Sequence, residues 1–142
     1  MDYDKTDFML LDHTADLGIM VRGSDIKDLF EKAGLALIQI MINPGPDRAN
    51  KSIQLSLEGN DPAELMVNWL GEILYLFDGE KEIVTGIIIN SISPTYIDAT
   101  LKTVSFDPEH HDIICEIKAV TYHQIEVAKK DDYWEARVIF DL

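Results

Sequence analysis

The sequence predicts an α+β fold in which two amphipathic helices pack on a largely antiparallel sheet. Two apolar stripes have helical spacing, while most other segments are short, alternating or rich in β-branched residues. The helices do not alternate with the strands, as they would in a doubly wound parallel sheet. With 142 residues, 46% of them hydrophobic, the chain is long enough to bury a core, and we expect a single domain over residues 1–142.

The first helix is expected at Ser24–Met41. Its apolar residues recur every three or four positions, and charged residues occupy most of the opposite face. Ser24 is the expected N-cap, because its hydroxyl can accept a hydrogen bond from a free amide of the first turn. The segment Asn43-Pro44-Gly45-Pro46 is expected to end the helix, since proline cannot continue it.

The second helix is expected from Asp61 to about Phe77. Asp61 is the expected N-cap, and Pro62 falls at the first helical position, where a missing N–H is tolerated. The apolar stripe contains Trp69 and a methionine, but a stripe with this spacing is typical of core packing rather than of a cofactor site.

The remaining segments predict eight strands. A hairpin turn is expected at Lys129-Lys130-Asp131-Asp132, because it lies between two alternating runs. The predicted strands are Phe8–Leu11, Gly18–Arg22, Ile53–Leu57, Ile83–Ile89, Tyr96–Val104, Ile113–Ala119, Gln124–Val127 and Trp134–Phe140.

Composition excludes several classes of protein. Twelve Lys and Arg against 26 Asp and Glu give a net charge of −14, which repels phosphate backbones and argues against direct nucleic-acid binding. No apolar run approaches the roughly 20 residues of a membrane helix, so no membrane span is expected. A single cysteine and the absence of a signal-peptide pattern in residues 1–7 favour a cytoplasmic protein.

Asp12-His13-Thr14-Ala15-Asp16 is the densest polar cluster in an apolar setting. It lies between two predicted strands, at a position where functional side chains are often carried. A solvated turn, in which the carboxylate and hydroxyl groups satisfy nearby amides, is the alternative interpretation.

The end of the chain offers a second acidic group. Asp141 and the α-carboxylate of Leu142 follow a strand whose apolar face should hold it in a sheet. If Asp16 lay beside them, three carboxylates would converge, and such oxygen donors select Ca²⁺, Mg²⁺ or Mn²⁺. An ordinary exposed acidic terminus is the alternative.

Lys118-Ala119-Val120-Thr121-Tyr122-His123 combines a lysine, a phenol and an imidazole near one strand end. These groups could support the carboxylates or a bound phosphate. Alternatively, the segment is a strand edge on which Tyr122 packs and His123 faces water.

Other reactive residues do not form recognisable sites. His110 and His111 are adjacent, so on a strand they would point to opposite faces, and we interpret them as part of a polar loop. Cys115 lies in an apolar run and is expected to be a buried side chain rather than a nucleophile. The sequence contains no P-loop, no G-x-S-x-G and no G-x-G-x-x-G motif.

Taken in order, the early cluster, the Lys118–His123 segment and the ending Arg137-Val138-Ile139-Phe140-Asp141-Leu142 resemble the archease family over essentially the whole chain. The resemblance implies nested strand-helix-strand-strand modules. It also implies an activator of the RtcB-type RNA ligase in tRNA splicing and RNA repair, one that is not itself an enzyme. Such an activator promotes nucleotidylation and multiple turnover of the ligase and broadens its use of nucleoside triphosphates.

The resemblance also implies a bound divalent metal ion, either calcium or magnesium or manganese. Its ligands would be Asp16, Asp141 and the terminal carboxylate of Leu142, with Asp12 in a supporting role. His13, Lys118 and His123 are further supporting candidates whose roles the resemblance does not define.

The sequence departs from the family pattern before the histidine loop. Similar proteins commonly carry Gly-Glu where this chain has Thr103-Val104, and a lysine beside the histidine is replaced by Glu109 or His110. A ligase contact that used those side chains is therefore not expected here.

Two other functions remain open from the sequence. The same carboxylates could serve a stand-alone metal-dependent phosphohydrolase, although only His13 and His123 offer themselves as bases. A chaperone-like interaction module would expose an apolar patch and would be indifferent to divalent ions.

Overall fold

The computed structural model describes residues 8–12, 16–45 and 48–142. In this part of the chain there are two helices and nine strands. Two strands precede the first helix, two lie between the helices, and five follow the second helix. The elements in chain order are β1 (Phe8–Asp12), β2 (Asp16–Gly23), α1 (Ile26–Met41), β3 (Ile42–Asn43), β4 (Lys51–Glu58), α2 (Pro62–Asp78), β5 (Glu82–Ser93), β6 (Tyr96–Ser105), β7 (Asp112–Ile113), β8 (Ala119–Lys129) and β9 (Trp134–Asp141).

The strands form three antiparallel sheets within the described residues. The four-stranded sheet has the order β1-β2-β9-β8, the three-stranded sheet has the order β4-β6-β5, and β3 pairs with β7. Every pairing between these strands is antiparallel. The predicted α+β class with two helices on antiparallel sheet is therefore confirmed, although the strands divide among three sheets.

The two helices share one hydrophobic core with both larger sheets. Helix α1 packs against β2 and β5, and α2 packs against β8, β5 and α1. The indole Nε1 of the fully buried Trp69 donates a hydrogen bond of 2.9 Å to the backbone carbonyl of Phe30, which joins the helices. The stripe of α2 is thus core, as its spacing predicts. Neither helix of the described residues is long and apolar enough to cross a membrane.

The N-terminus of α1 corrects the predicted cap by one residue. Asp25, not Ser24, is the N-cap, and its carboxylate accepts a hydrogen bond of 2.7 Å from the backbone N–H of Asp28. The Asp28 carboxylate in turn accepts from the backbone N–H of Ser24 at 2.8 Å. The Ser24 hydroxyl also donates to the Asp28 carboxylate at 3.2 Å, so it takes part in this contact while the Asp25 carboxylate caps the helix. Helix α2 begins as predicted, with Asp61 as cap and Pro62 in the first turn.

The predicted strand Ile113–Ala119 is wrong for most of its length. Only its two ends are strand, since Ile113 belongs to β7 and Ala119 begins β8. The amides of Ile114 and Cys115 both donate to the carbonyl of Met41 at the end of α1. Tertiary contact with the helix end therefore replaces sheet pairing here. Cys115 is half-buried and lies outside any strand.

The remaining predicted strands agree with the structure within a few residues, except that Gln124–Val127 is part of the longer β8. The predicted turn after β8 is confirmed, since the amide of Lys130 donates to the carbonyl of Tyr133 at 2.7 Å.

Glu82 is a buried carboxylate in the three-stranded sheet. It accepts hydrogen bonds from the hydroxyls of Thr103 and Ser105, each at 2.9 Å, and from the ammonium of Lys51 at 3.2 Å. Burial opposes its ionisation, but these three donors outweigh burial and lower the pKa of Glu82 below its ordinary value. Thr103 therefore has a structural role in this chain, as a donor to Glu82.

Candidate functional site

Asp16 and Asp141 lie directly opposite each other across the pairing of β2 with β9. Residues in such register share one face of a sheet, with Cβ atoms roughly 4.5–5.5 Å apart. Asp16, the last residue of the early cluster, and Asp141 are thus brought together at one end of the four-stranded sheet.

Strand β9 is held on both sides at this end. Ala119 of β8 pairs with Asp141 from the other side, and the backbone N–H of Lys118 donates to the carbonyl of Asp141 at 2.8 Å. The fully buried Phe140 anchors the same strand in the core. The apolar alternation of the last strand therefore fixes the acidic end in place, as the sequence predicts.

The two facing carboxylates have no internal counter-charge in the described part of the chain. Neither the side chain of Asp16 nor that of Asp141 receives a hydrogen bond or an ion pair from residues 8–12, 16–45 or 48–142. Asp16 is half-buried, and Asp141 is exposed. Like charges directly opposite each other on a sheet are destabilising, so a positive charge placed between the two carboxylates would relieve their repulsion.

The described residues contain no group of three His, Cys, Asp or Glu side chains placed to hold a metal ion. Asp16 and Asp141 place two side-chain carboxylates opposite each other, and Leu142, which follows Asp141, is 40% exposed. His13 and the side chain of Asp12 lie outside the described residues, so the predicted supporting roles of these two residues stay predictions.

The late segment lies beside the carboxylate pair. Lys118 is exposed and immediately precedes β8, and the Thr121 hydroxyl donates to the carbonyl of Ile139 at 2.8 Å. Pairing with β9 then shifts between Thr121 and Glu126. Within this bulge Gln124 has a φ of 52°, a conformation that non-glycine residues seldom adopt.

Tyr122 and His123 lie in this bulge and are both exposed. The tyrosine is 57% exposed, so the alternative in which Tyr122 packs is wrong, while His123 faces solvent as that alternative requires.

A groove of about 540 Å³ is lined by α2 and by the start of β8. Its lining combines aliphatic side chains with polar and aromatic residues, and it adjoins the acidic pair through Lys118 and Ala119. The lining residues are Leu57, Val67, Asn68, Gly71, Glu72, Leu74, Tyr75, Lys118, Ala119, Val120 and Tyr122. Nothing in the sequence pattern predicts this groove, since its walls come from α2, β4 and the segment around the start of β8.

The loop that carries His110 and His111 is only partly exposed to solvent. The imidazole of His110 lies 3.0 Å from the Asp107 carboxylate and is exposed, as predicted. His111 is instead buried, and its Nδ1 accepts a hydrogen bond of 2.8 Å from the backbone N–H of Asp107. Its ring also contacts Phe106. Both histidines therefore lie in a loop, as predicted, and the buried imidazole of His111 helps close its turn.

Comparison with known proteins gives the family. The model of the Archease protein family (MTH1598/TM1083) matches residues 8–142. The chain belongs to the archease family. It is 34% identical over 136 residues to Protein archease of Methanosarcina acetivorans, with 93% of each chain covered. It is also 30% identical over 140 residues to Protein archease of Pyrococcus furiosus, with 92% of this chain and 95% of the relative covered.

Solved structures agree with the fold. The solution structure of Methanobacterium thermoautotrophicum protein 1598 matches with a TM-score of 0.79 and 28% identity, covering 96% of this chain and 99% of that one. An archease from Thermotoga maritima, called a possible chaperone, matches with a TM-score of 0.64 over 93% of this chain and 94% of that one. At 18% identity the second likeness concerns the fold alone.

Proposed function

We propose that this archease is a protein cofactor of an RtcB-type RNA ligase in tRNA splicing and RNA repair. It promotes nucleotidylation and multiple turnover of the ligase without catalysing ligation itself. The observation that carries the proposal is the facing of Asp16 and Asp141, which gives this member of the archease family an acidic site beside an exposed lysine.

In this proposal the site holds one divalent cation, either calcium or magnesium or manganese. Asp16 and Asp141 would provide side-chain oxygens, and Leu142 would provide its α-carboxylate. The donor set fits such an ion, because hard cations prefer oxygen ligands and these carboxylates have no cationic partner among the described residues. When bound, the ion would supply positive charge for the phosphates of a nucleotide in the ligase.

The neighbouring side chains have supporting roles. Lys118 is held close by its backbone bond to Asp141, so its ammonium can face a phosphate or a carboxylate of the partner. His123 projects from the bulge beyond it, while Asp12 and His13 precede the paired Asp16 in the chain. These four residues would orient partner groups rather than hold the cation.

Charge favours docking on a basic protein surface. A net charge of −14 steers association with a cationic partner and disfavours competition for RNA. An acidic activator can therefore approach the RNA-binding face of a ligase without itself binding nucleic acid.

The test is multiple-turnover ligation by a purified RtcB-type ligase, with and without this protein. We expect wild type to stimulate turnover, and we expect Asp141→Asn and Asp16→Asn to abolish most of the stimulation, because each removes one of two facing oxygen donors. A peptide extension after Leu142 should act in the same way by converting its carboxylate to an amide.

Glu80→Gln is the matched control, since it removes one exposed acidic charge just after α2. Full stimulation by Asp141→Asn would contradict the proposal. Phosphate release by the archease alone would favour a phosphohydrolase. Metal-independent suppression of aggregation of an unrelated protein, unchanged in Asp141→Asn, would favour the chaperone alternative.

A further inference from the structure

Strand β8 carries a bulge where it pairs with β9. The pairing is regular up to Thr121 with Ile139 and resumes at Glu126 with Arg137. Between these two pairs β8 advances five residues while β9 advances only two, so β8 has three extra residues. Bulges of this kind redirect side chains and are frequent beside functional sites.

The hydroxyl of Thr121 fixes the start of this bulge. It donates a hydrogen bond of 2.8 Å to the backbone carbonyl of Ile139 on β9, and it accepts one of 3.3 Å from the backbone N–H of His123. One small side chain therefore joins the last regular pair of the ladder to the backbone of the bulge. At the other end, Ile125 packs against the hydrophobic core. The bulge is thus held on both sides.

Burial does not explain the conformation of the bulge. Gln124 has a φ of 52°, which a non-glycine residue adopts only where surrounding contacts maintain it. Tyr122, His123 and Gln124 are all exposed. A strained backbone therefore holds exposed side chains in place, and such strain is typical of sites that act on other molecules.

Strand alternation determines which face of the sheet these side chains share. Ala119 lies directly opposite Asp141, so their side chains are on the same face. All residues from Ala119 to His123 are in strand conformation, which places Thr121 and His123 on that face as well. The intervening Tyr122 lies on the other face and lines the groove beside α2.

We propose that Thr121 is a positioning residue for His123. Its hydroxyl fixes the bulge so that the imidazole is presented on the face that carries Asp16 and Asp141, where it can exchange hydrogen bonds with a phosphate or carboxylate of a bound partner. The inference rests on the proposed function, in which His123 orients groups of the RtcB-type ligase. Thr121 does not touch the partner, and its effect on ligation passes through His123.

Amide hydrogen exchange of the protein alone tests whether the hydroxyl holds the bulge. Thr121→Val keeps the shape of the side chain but removes the donor and acceptor, so the His123 amide should exchange roughly two- to tenfold faster, the factor that corresponds to one hydrogen bond. Thr121→Ser retains the hydroxyl and should retain the wild-type rate. Equal rates in wild type and Thr121→Val would overturn the proposal.

Multiple-turnover ligation with a purified RtcB-type ligase tests the functional role. Thr121→Val should lower maximal stimulation by roughly two- to tenfold, with little change in the concentration for half-maximal stimulation. Thr121→Ser should restore stimulation, and His123→Ala should lower it at least as much as Thr121→Val. The variant that combines Thr121→Val with His123→Ala should be no worse than His123→Ala, because residues that act through one another are not additive. A merely structural role of Thr121 would add its own loss.

Thr100→Val is the matched control. The Thr100 hydroxyl on β6 also donates one hydrogen bond, to Gln54, and accepts one, from Asn90. Its removal should leave stimulation unchanged. If Thr121→Val loses its thermal unfolding transition, Thr121→Ala replaces it. His123 is exposed, so His123→Ala leaves the core packing intact.

The two kinds of failure are distinguishable. Full stimulation by His123→Ala, or additive losses in the combined variant, would overturn the positioning role and leave the proposed function standing. Absence of stimulation by wild type would overturn the proposed function and, with it, the role of His123, whatever hydrogen exchange shows of the bulge.

Discussion

The carboxylate of Glu82 has hydrogen-bond donors within the fold, whereas the carboxylates of Asp16 and Asp141 face each other without such donors among the described residues. Glu82 is buried and receives three hydrogen bonds from β4 and β6 side chains. Asp16 and Asp141 face each other near solvent and receive none from the described residues. A carboxylate supplied with internal donors is committed to holding the sheet together, whereas two carboxylates left facing each other are available to an external cation.

The largest expected effect is the rise in melting temperature when a divalent ion binds the pair Asp16 and Asp141. A ligand that binds only the native state stabilises it by about 2.7 kcal/mol at one hundred times its dissociation constant. Thermal melting of wild type should therefore shift upward by about 5–10 °C in saturating calcium, magnesium or manganese, whichever binds. Glu80→Gln should respond like wild type.

Asp141→Asn should not respond to the ions. In a metal chelator it should be slightly more stable than wild type, by about 0.2–1 kcal/mol, because it relieves the repulsion across β2 and β9. Equal upward shifts in wild type and Asp141→Asn would mean that any bound ion lies elsewhere.

The next largest effect should be the loss of unfolding free energy when the buried carboxylate of Glu82 is removed. Glu82→Ala leaves the hydroxyls of Thr103 and Ser105 and the ammonium of Lys51 without their acceptor, which should cost about 1–3 kcal/mol of unfolding free energy. Urea denaturation measures this loss. Ligase stimulation at a temperature where the variant is folded should be unaffected, and a selective loss of stimulation would contradict the division between the two regions.

The pH dependence of stability should sharpen the comparison further. Burial opposes ionisation of Glu82, but its three hydrogen-bond donors lower its pKa in the folded state. Its contribution is therefore present above the unfolded pKa of about 4.3 and is lost as the pH falls through the folded pKa. Urea unfolding of wild type and Glu82→Gln should differ at pH 6, and that gap should close as the pH falls through the folded pKa of Glu82. A gap that widens on acidification would contradict this sign.

Sequence patterns predicted those features that depend on neighbouring residues. Asp61 and Pro62 located the start of α2, and the alternation before Asp141 located the last strand. At α1 the predicted cap Ser24 was one residue too early, because the carboxylate of Asp25 accepts the amide of Asp28.

Features that depend on distant segments were not predicted. The run after Ile113 has strand-like composition, yet its amides bind the end of α1. The donors around Glu82 come from strands about 20 or more residues away, and they align only through sheet register. The groove was not predicted either, because its lining combines Gly71 of α2 with Tyr122 in the β8 bulge, and no short sequence pattern indicates that bulge.

The position of β9 between β2 and β8 has a consequence for biosynthesis. Until Trp134–Asp141 has been synthesised, β2 lacks its neighbour on one side, and the acidic pair does not exist. Closure between segments so distant along the chain is entropically slow, which favours folding as a late, cooperative event. Nascent chains stalled before β9 would expose unpaired strand edges to chaperones and proteases, and Asp16 would have no carboxylate opposite it.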